Sequence, residues 1–161
     1  MFVEYSDQIL SNAERMQLTE VRVVNTEVIR EYAFYNCVNL EQVNIDADVT
    51  DIRDFAFQNC VQLKSITLPE ALTHIGFQAF YNCRQLTHVD VPNFVSVIGG
   101  NVFSNCNQLS DVTIPDSVIK IAHSAFSFCP RCVFHTNNPV AIEYAEQEGI
   151  PVVPLDDLVT L

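Results

Sequence analysis

The 161-residue sequence is poor in several residue types, and each shortage argues against a class of protein. It contains no tryptophan, only 4 glycines, and 8 lysines and arginines against 20 aspartates and glutamates, which gives a net charge of −12. A surface with so few cations repels phosphate backbones and anionic membrane leaflets, because binding there depends on cationic side chains that release counterions. Nucleic acid is therefore not an expected partner, whereas basic partners remain possible.

Long apolar runs and a recognisable secretion signal are also missing. No stretch approaches the roughly 20 apolar residues of a membrane span, so we expect no membrane insertion. The first residues, Met1 to Ser11, have no basic region and include Glu4 and Asp7, which is unlike a signal peptide. We expect either a cytoplasmic protein or one whose leader has been removed.

A period of 23 residues runs through the chain without insertion or deletion. Five segments share an isoleucine, a phenylalanine and a cysteine at fixed positions. The three series are Ile29, Ile52, Ile75, Ile98 and Ile121; Phe34, Phe57, Phe80, Phe103 and Phe126; and Cys37, Cys60, Cys83, Cys106 and Cys129. A fixed period of about 20 to 30 residues predicts a solenoid, in which each repeat buries its apolar face against its neighbours.

Each repeat contains two hydrophobic patterns. The first has the spacing of one face of a short helix and comprises Ile75, Ala79, Phe80 and Cys83. In the second, Val89 and Val91 alternate with polar residues as in a half-buried strand, which Pro92 ends because proline lacks a ladder donor. We predict a strand, a turn, a short extended segment and a short helix per repeat. The helices are expected to end at the asparagines Asn36, Asn59, Asn82 and Asn105.

The shared pattern Ile-x-x-x-Ala-Phe-x-Asn-Cys-x-x-Leu-x-x-Val-x-Ile-Pro-x-x-Val resembles the BspA-type leucine-rich repeat over residues 29 to about 132. Departures are minor: Val102 replaces the alanine, and Cys132 replaces the leucine. The resemblance implies an α/β repeat solenoid, a right-handed superhelix of 23-residue coils with terminal caps. It also implies protein binding or adhesion, at a cell surface or after secretion.

The two ends of the chain depart from the repeat and are predicted to be caps, because a solenoid end otherwise exposes its core. Residues 1–28 are expected to form an N-terminal cap, with a helix over residues 1–17, and a degenerate first coil. Residues 29–133 hold the five repeats. Residues 134–161 are expected to form a C-terminal cap, in which Ile142 and Ala145 share a helix face that ends at Gly149.

The six cysteines are predicted to be buried thiols. Five share one repeat position, so their side chains should form a ladder about 4.8 Å apart that points in parallel, not at one another. Cys129 and Cys132 form a Cys-x-x-Cys pair, but no second pair completes a zinc site. The histidines share no common face, and a catalytic or metal site requires convergent groups. We therefore predict no catalytic residue, metal or cofactor, and no enzyme activity.

The outward positions of the strands are the candidate binding site, because they form one continuous polar face. They are Arg22, Gln42, Asn44, Ser65, Thr67, His88, Asp90, Asp111 and Thr113, beside Glu20. Variation on a fixed scaffold is how such repeats present a protein-binding surface, although a solvated sheet face has the same pattern. Tyr81 and Phe94 are secondary candidates, since aromatic residues beyond the needs of the core can mark an interface.

The sequence thus predicts a non-catalytic protein-interaction or adhesion module with a protein partner. The alternative is an intracellular structural scaffold or self-assembling subunit. A monomer is favoured over an oligomer.

Overall fold

Over residues 1–156, the part of the chain that the computed structural model describes, short strands alternate with turns between two helices. In chain order the elements are β1 (Phe2–Tyr5), α1 (Asn12–Gln17), β2 (Glu20–Val23), β3 (Val28–Ile29), β4 (Gln42–Ile45), β5 (Asp51–Ile52), β6 (Ser65–Ile66), β7 (His74–Ile75), β8 (His88–Asp90), β9 (Val97–Ile98), β10 (Asp111–Thr113), β11 (Lys120–Ile121), β12 (Val133–His135), α2 (Pro139–Glu148) and β13 (Val152–Val153).

The strands pair in parallel between successive repeats. One side of the stack carries the sheets β1-β2-β4-β6 and β8-β10-β12-β13, and the backbone N–H of Thr87 bridges these sheets by donating to the carbonyl of Lys64 at 3.2 Å. The two-residue strands form a second set, β3-β5-β7 and β9-β11. Residues one period apart face each other, as Gln42 does Ser65 and His88 does Asp111. The predicted repeat fold with parallel strands is confirmed.

The segment that follows each two-residue strand is a run of turns, and the predicted short helix is wrong. Two residues in each of the first four repeats have left-handed backbone angles, for example Phe55 (φ 59°) and Asn59 (φ 62°), and the fifth repeat has one, Phe128 (φ 60°). These angles interrupt a helix and direct N–H groups at the next repeat, as in the 2.8 Å bond from Phe57 to the carbonyl of Ala79. The asparagines do adopt the predicted turn conformation, because their side chains tolerate it.

A ladder of phenylalanine rings forms the centre of the core. Phe34, Phe57, Phe80, Phe103 and Phe126 stack with centroids 5.0 to 5.5 Å apart and planes within 20° of parallel. Tyr5 closes the ladder at one end, and Phe134 and Tyr144 pack on Phe126 at the other. Each repeat therefore buries its ring against its neighbours, as the period predicts.

The predicted burial of the cysteines is confirmed for all six. Four repeat thiols donate to a phenylalanine carbonyl of the preceding repeat, for example Cys60 to Phe34 at 3.2 Å and Cys83 to Phe57 at 3.3 Å. Burial raises the pKa of Cys37 and Cys129 to about 11 and raises the pKa of the other four thiols well above the usual 9.0. These thiols are structural groups.

The two ends are closed differently. The helix expected over residues 1–17 is wrong for most of its length: β1 pairs with β2, and α1 buries none of its side chains. Ile9 is 84% exposed, and Tyr5 and Leu10 provide the burial instead.

The C-terminal helix is confirmed. Asn138 caps the N-terminus of α2, and Gly149 (φ 71°) ends it. Ala145 is buried as predicted, with Tyr144, while Ile142 is only half-buried. Residues 157–161 of the predicted cap lie outside the described residues.

Candidate binding surface on the strand face

The nine predicted binding residues lie in two rows on one side of the parallel strands, which we call the strand face. Strand register sets the rows: Arg22 faces Asn44, and Asp90 faces Thr113. Seven of the nine are exposed, and Asp111 and Thr113 are half-buried. The residues that alternate with them are buried, and include Val21, Val43, Ile66, Val89 and Val112. The strand face therefore varies in sequence without a cost to the core.

The rows extend beyond the predicted positions at both ends. In β1, Phe2 faces Glu20 and Glu4 faces Arg22. In β12, His135 faces Thr113. Glu4 and His135 alternate with buried or half-buried apolar neighbours, and this alternation in the sequence could have identified both as residues of the strand face. It was missed because β1 was expected to be helical and because Cys132 replaces the leucine that marks a repeat strand.

Two histidine–aspartate pairs order the middle of the strand face. His88 Nε2 lies 2.9 Å from Asp90 Oδ2, and His135 Nε2 lies 2.9 Å from Asp111 Oδ1. Partial burial alone would raise the pKa of Asp90, but hydrogen bonds from Thr113 and His88 outweigh it and lower that pKa. Hydrogen bonds from Ser110 and His135 lower the pKa of Asp111. Both carboxylates are therefore ionised at neutral pH.

A depression of about 600 Å³, which we call the strand-end groove, lies where β6, β8 and β10 end. Its wall includes four of the nine predicted residues: Thr67, His88, Asp90 and Thr113. The turns after the strands add Glu70, Pro92, Asn93, Pro115 and Asp116. Because Pro69, Pro92 and Pro115 follow the strands at the same position in three successive repeats, the groove crosses these repeats. The structure thus gathers residues that the sequence separates by one or two periods.

The secondary candidates lie apart from the groove wall. Phe94 is 68% exposed in the turn after Pro92, and Tyr81 is half-buried on the turn side. Tyr32 and Phe55, in the turns that follow the two-residue strands, pack between repeats with ring centroids 4.8 Å apart and planes 5° apart. Tyr32 still remains 43% exposed.

Among the described residues, no three His, Cys, Asp or Glu side chains are placed to hold one metal ion. His123 instead pairs at 2.5 Å with Glu148 on the C-terminal helix, and neither residue lines the groove. Cys129 and Cys132 are buried thiols whose pKa values are raised by desolvation, which is the opposite of what a reactive cysteine requires. Within residues 1–156, no helix has the length and apolar character needed to cross a membrane.

A family model, the BspA type leucine rich repeat region, matches residues 14–141 in six copies. No curated protein sequence matches this chain. Among solved structures, the leucine-rich-repeat protein of T. pallidum is 26% identical with a TM-score of 0.75, over 86% of this chain and 73% of that one.

Two other solved structures share the fold. A leucine-rich repeat protein from Bacteroides ovatus ATCC 8483 is 23% identical with a TM-score of 0.62, over 86% of this chain and 46% of that one. The pneumococcal vaccine antigen PcpA is 17% identical with a TM-score of 0.66, over 84% of this chain and 41% of that one. This chain therefore spans less than half the length of either protein.

Proposed function

Because this chain belongs to the BspA-type leucine-rich-repeat family, we propose that it is a non-catalytic protein-interaction or adhesion module that binds through the strand face. Proteins with repeats of this type are generally protein-interaction or surface-adhesion modules, and they are generally not enzymes. We extend that role to this chain and assign it to the nine residues of the strand face.

One observation carries this assignment: the strand face is polar and varied, whereas the side chains beneath it are uniformly apolar. Seven of the nine residues are exposed, and eight of the nine lie in strands that pair in parallel with a neighbouring strand. A rigid surface loses little conformational entropy on binding, so more of the contact energy appears as affinity. The competing candidates are Tyr81, in the turns that follow β7, and Phe94, in the turn after Pro92.

Photo-crosslinking tests which surface binds. A photoreactive residue placed at Thr67 on the strand face should crosslink to a protein partner from lysates of the native or host cells. The same residue at Gln147, on the exposed side of α2, is the control. Crosslinks from Gln147 alone would contradict the proposal.

A double substitution then measures the contribution of the face. The variant His88→Ala/Asp90→Ala removes a hydrogen-bonded pair at the middle of the strand face. Its matched control is Glu143→Ala/Gln147→Ala, which removes a hydrogen-bonded pair on α2. The first should weaken binding of the purified partner with an almost unchanged melting temperature, and the second should not weaken it. If Phe94→Ser or Tyr81→Ser abolishes binding and His88→Ala/Asp90→Ala does not, the interface lies on the turns that hold Phe94 or Tyr81 and not on the strand face.

The second candidate function is a scaffold or self-assembling subunit, and the edge strand β1 favours it. Among the described residues only β2 pairs with β1, and Phe2 at this edge is 53% exposed. An open edge can pair with another chain. We propose a monomer nevertheless, because β1 is only four residues long. The molar mass measured by light scattering across a range of protein concentrations decides between a monomer and a self-assembling subunit.

We also propose that the repeats wind as a right-handed superhelix of 23-residue coils, and that the module is displayed at a cell surface or secreted. The pairing of residues one period apart, such as Gln42 with Ser65, supports the coil length. A crystal structure tests the winding, and fractionation of the producing cells tests the location.

A further inference from the structure

The strand-end groove carries negative charge from three successive repeats. Glu70 and Asp116 occupy the same repeat position, directly after Pro69 and Pro115, and Asp90 lies in the repeat between them. Neighbouring strands are about 4.8 Å apart, so positions two repeats apart are separated by about 10 Å. The carboxylates are thus spread along the groove and do not form one cluster.

Few cationic side chains lie in the described part of the groove wall. Among the described residues that line the groove there is one histidine, His88, and no lysine or arginine. Lys64, which directly precedes β6, pairs with Glu41 at 2.7 Å and does not line the groove. Asp90 lies 2.9 Å from His88 and also accepts a hydrogen bond from Thr113, which carries no charge.

The floor of the groove is less polar than its rim. Leu68, Val91 and Pro92 line it and are themselves buried. An apolar floor below carboxylates suits lysine and arginine, because their aliphatic stems lie on apolar surface while the charged end reaches an anion. A metal ion fits poorly, because its oxygen ligands lie within about 2.6 Å and carboxylates about 10 Å apart cannot share it.

We infer that the strand-end groove binds an extended cationic segment of a protein partner, with lysine or arginine side chains about three residues apart. An extended chain in the polyproline II conformation has three residues per turn and advances about 3.1 Å per residue, so side chains three residues apart lie on one side of it and about 9 Å apart. This spacing is close to the roughly 10 Å between the positions of Glu70 and Asp116. Asp90, in the repeat between these two, adds negative charge to the middle of the groove. The inference rests on the proposed function, since it names the partner chemistry for part of the strand face.

Nuclear magnetic resonance titration of the full chain tests the inference. The probe is the peptide Gly-Ser-Lys-Gly-Ser-Lys-Gly-Ser, and its counterpart has glutamate in place of both lysines. The lysine peptide should shift backbone amide signals near Glu70, Asp90 and Asp116, and salt should weaken the effect. Shifts confined to the two caps, or equal shifts with the glutamate peptide, would overturn the inference.

Two variants with the same net charge distinguish binding at the groove from attraction by the negative charge of the whole protein. Glu70→Gln/Asp90→Asn/Asp116→Asn should weaken the lysine peptide at least tenfold. The control Glu31→Gln/Glu143→Gln/Glu146→Gln removes three exposed carboxylates elsewhere and should change affinity less than threefold. Similar losses of affinity for the lysine peptide in both variants would show that the peptide responds to net charge, and would overturn the assignment of the site to the groove. Melting curves verify that both variants remain folded.

A random peptide library displayed on phage distinguishes failure of the inference from failure of the proposed function. Peptides selected on the full chain should be enriched in lysine and arginine and should lose binding to His88→Ala/Asp90→Ala. If they lose binding but are not basic, the inference is wrong and the proposed function stands. If they bind that variant fully and lose binding to Phe94→Ser or Tyr81→Ser, both are wrong.

Discussion

The buried cysteine ladder makes the fold sensitive to alkali. All six thiols are buried, and desolvation raises their pKa above the ordinary value of 9.0, to about 11 for Cys37 and Cys129. Because the pKa is raised in the folded state, the stabilisation is fully present below pH 9 and is lost as the pH rises toward the folded value. Between those limits the unfolded chain releases thiol protons that the folded chain retains.

The magnitude follows from proton linkage. Between pH 8 and pH 10, a thiol that ionises only after unfolding costs about 1.4 kcal/mol of folding free energy. Six such thiols give about 8 kcal/mol, which is a large part of the roughly 5–15 kcal/mol that holds a domain together. Tyr144 acts in the same direction, since burial raises its pKa to about 12.

Urea unfolding followed by circular dichroism at pH 7, 8, 9 and 10, with a phosphine reductant present, measures this loss. The free energy of unfolding should fall slightly between pH 8 and pH 9 and steeply between pH 9 and pH 10, and thiolate absorbance should appear together with the loss of secondary structure. The variant Cys83→Ala/Cys106→Ala starts less stable, because it leaves cavities, but its decline from pH 8 to pH 10 should be about one third smaller. Thiolate absorbance in protein that is still folded, or an identical decline in the variant, would refute the linkage argument.

Three further predictions concern single features of the fold. Gly76→Ala should lower the free energy of unfolding in urea by about 1–3 kcal/mol, because its Cβ would overlap the backbone of the preceding repeat. The control Gly99→Ala, at the same repeat position, has 3.8 Å of clearance and should be nearly neutral. Equal effects of the two substitutions would contradict the packing. Phe128→Asn should raise the melting temperature, because Phe128 is 74% exposed and has φ 60°, a left-handed angle at which four other repeats have asparagine. A lower melting temperature would show that the ring is needed for stability. Truncation after Asn138 removes Tyr144 from the end of the ring ladder and should cause aggregation or a much lower melting temperature, and unchanged melting would rule out a capping role.

Much of the fold could be predicted from the sequence, because every repeat solves the same packing problem. An apolar residue at the same position in five repeats has nowhere to lie except against its copies. The burial of Phe80 and Cys83 and the outward position of His88 follow directly from that rule. The C-terminal helix was equally predictable, since Gly149 is a local stop signal that acts without the rest of the chain.

Other features depend on contacts between repeats, which no local pattern contains. The spacing of Ile75, Ala79, Phe80 and Cys83 is that of a helix face, but hydrogen bonds to the next repeat favour turns with left-handed residues.

The same reason explains the remaining differences. β1 forms because β2 presents an open edge to it, although residues 1–17 alone suggested a helix. The strand-end groove exists because stacking brings Glu70, Asp90 and Asp116 from three repeats to one edge. The period by itself determined which side chains are buried, because burial is a property of each repeat. Only the stacking of repeats decided which exposed side chains lie close together, because that depends on how the repeats are arranged.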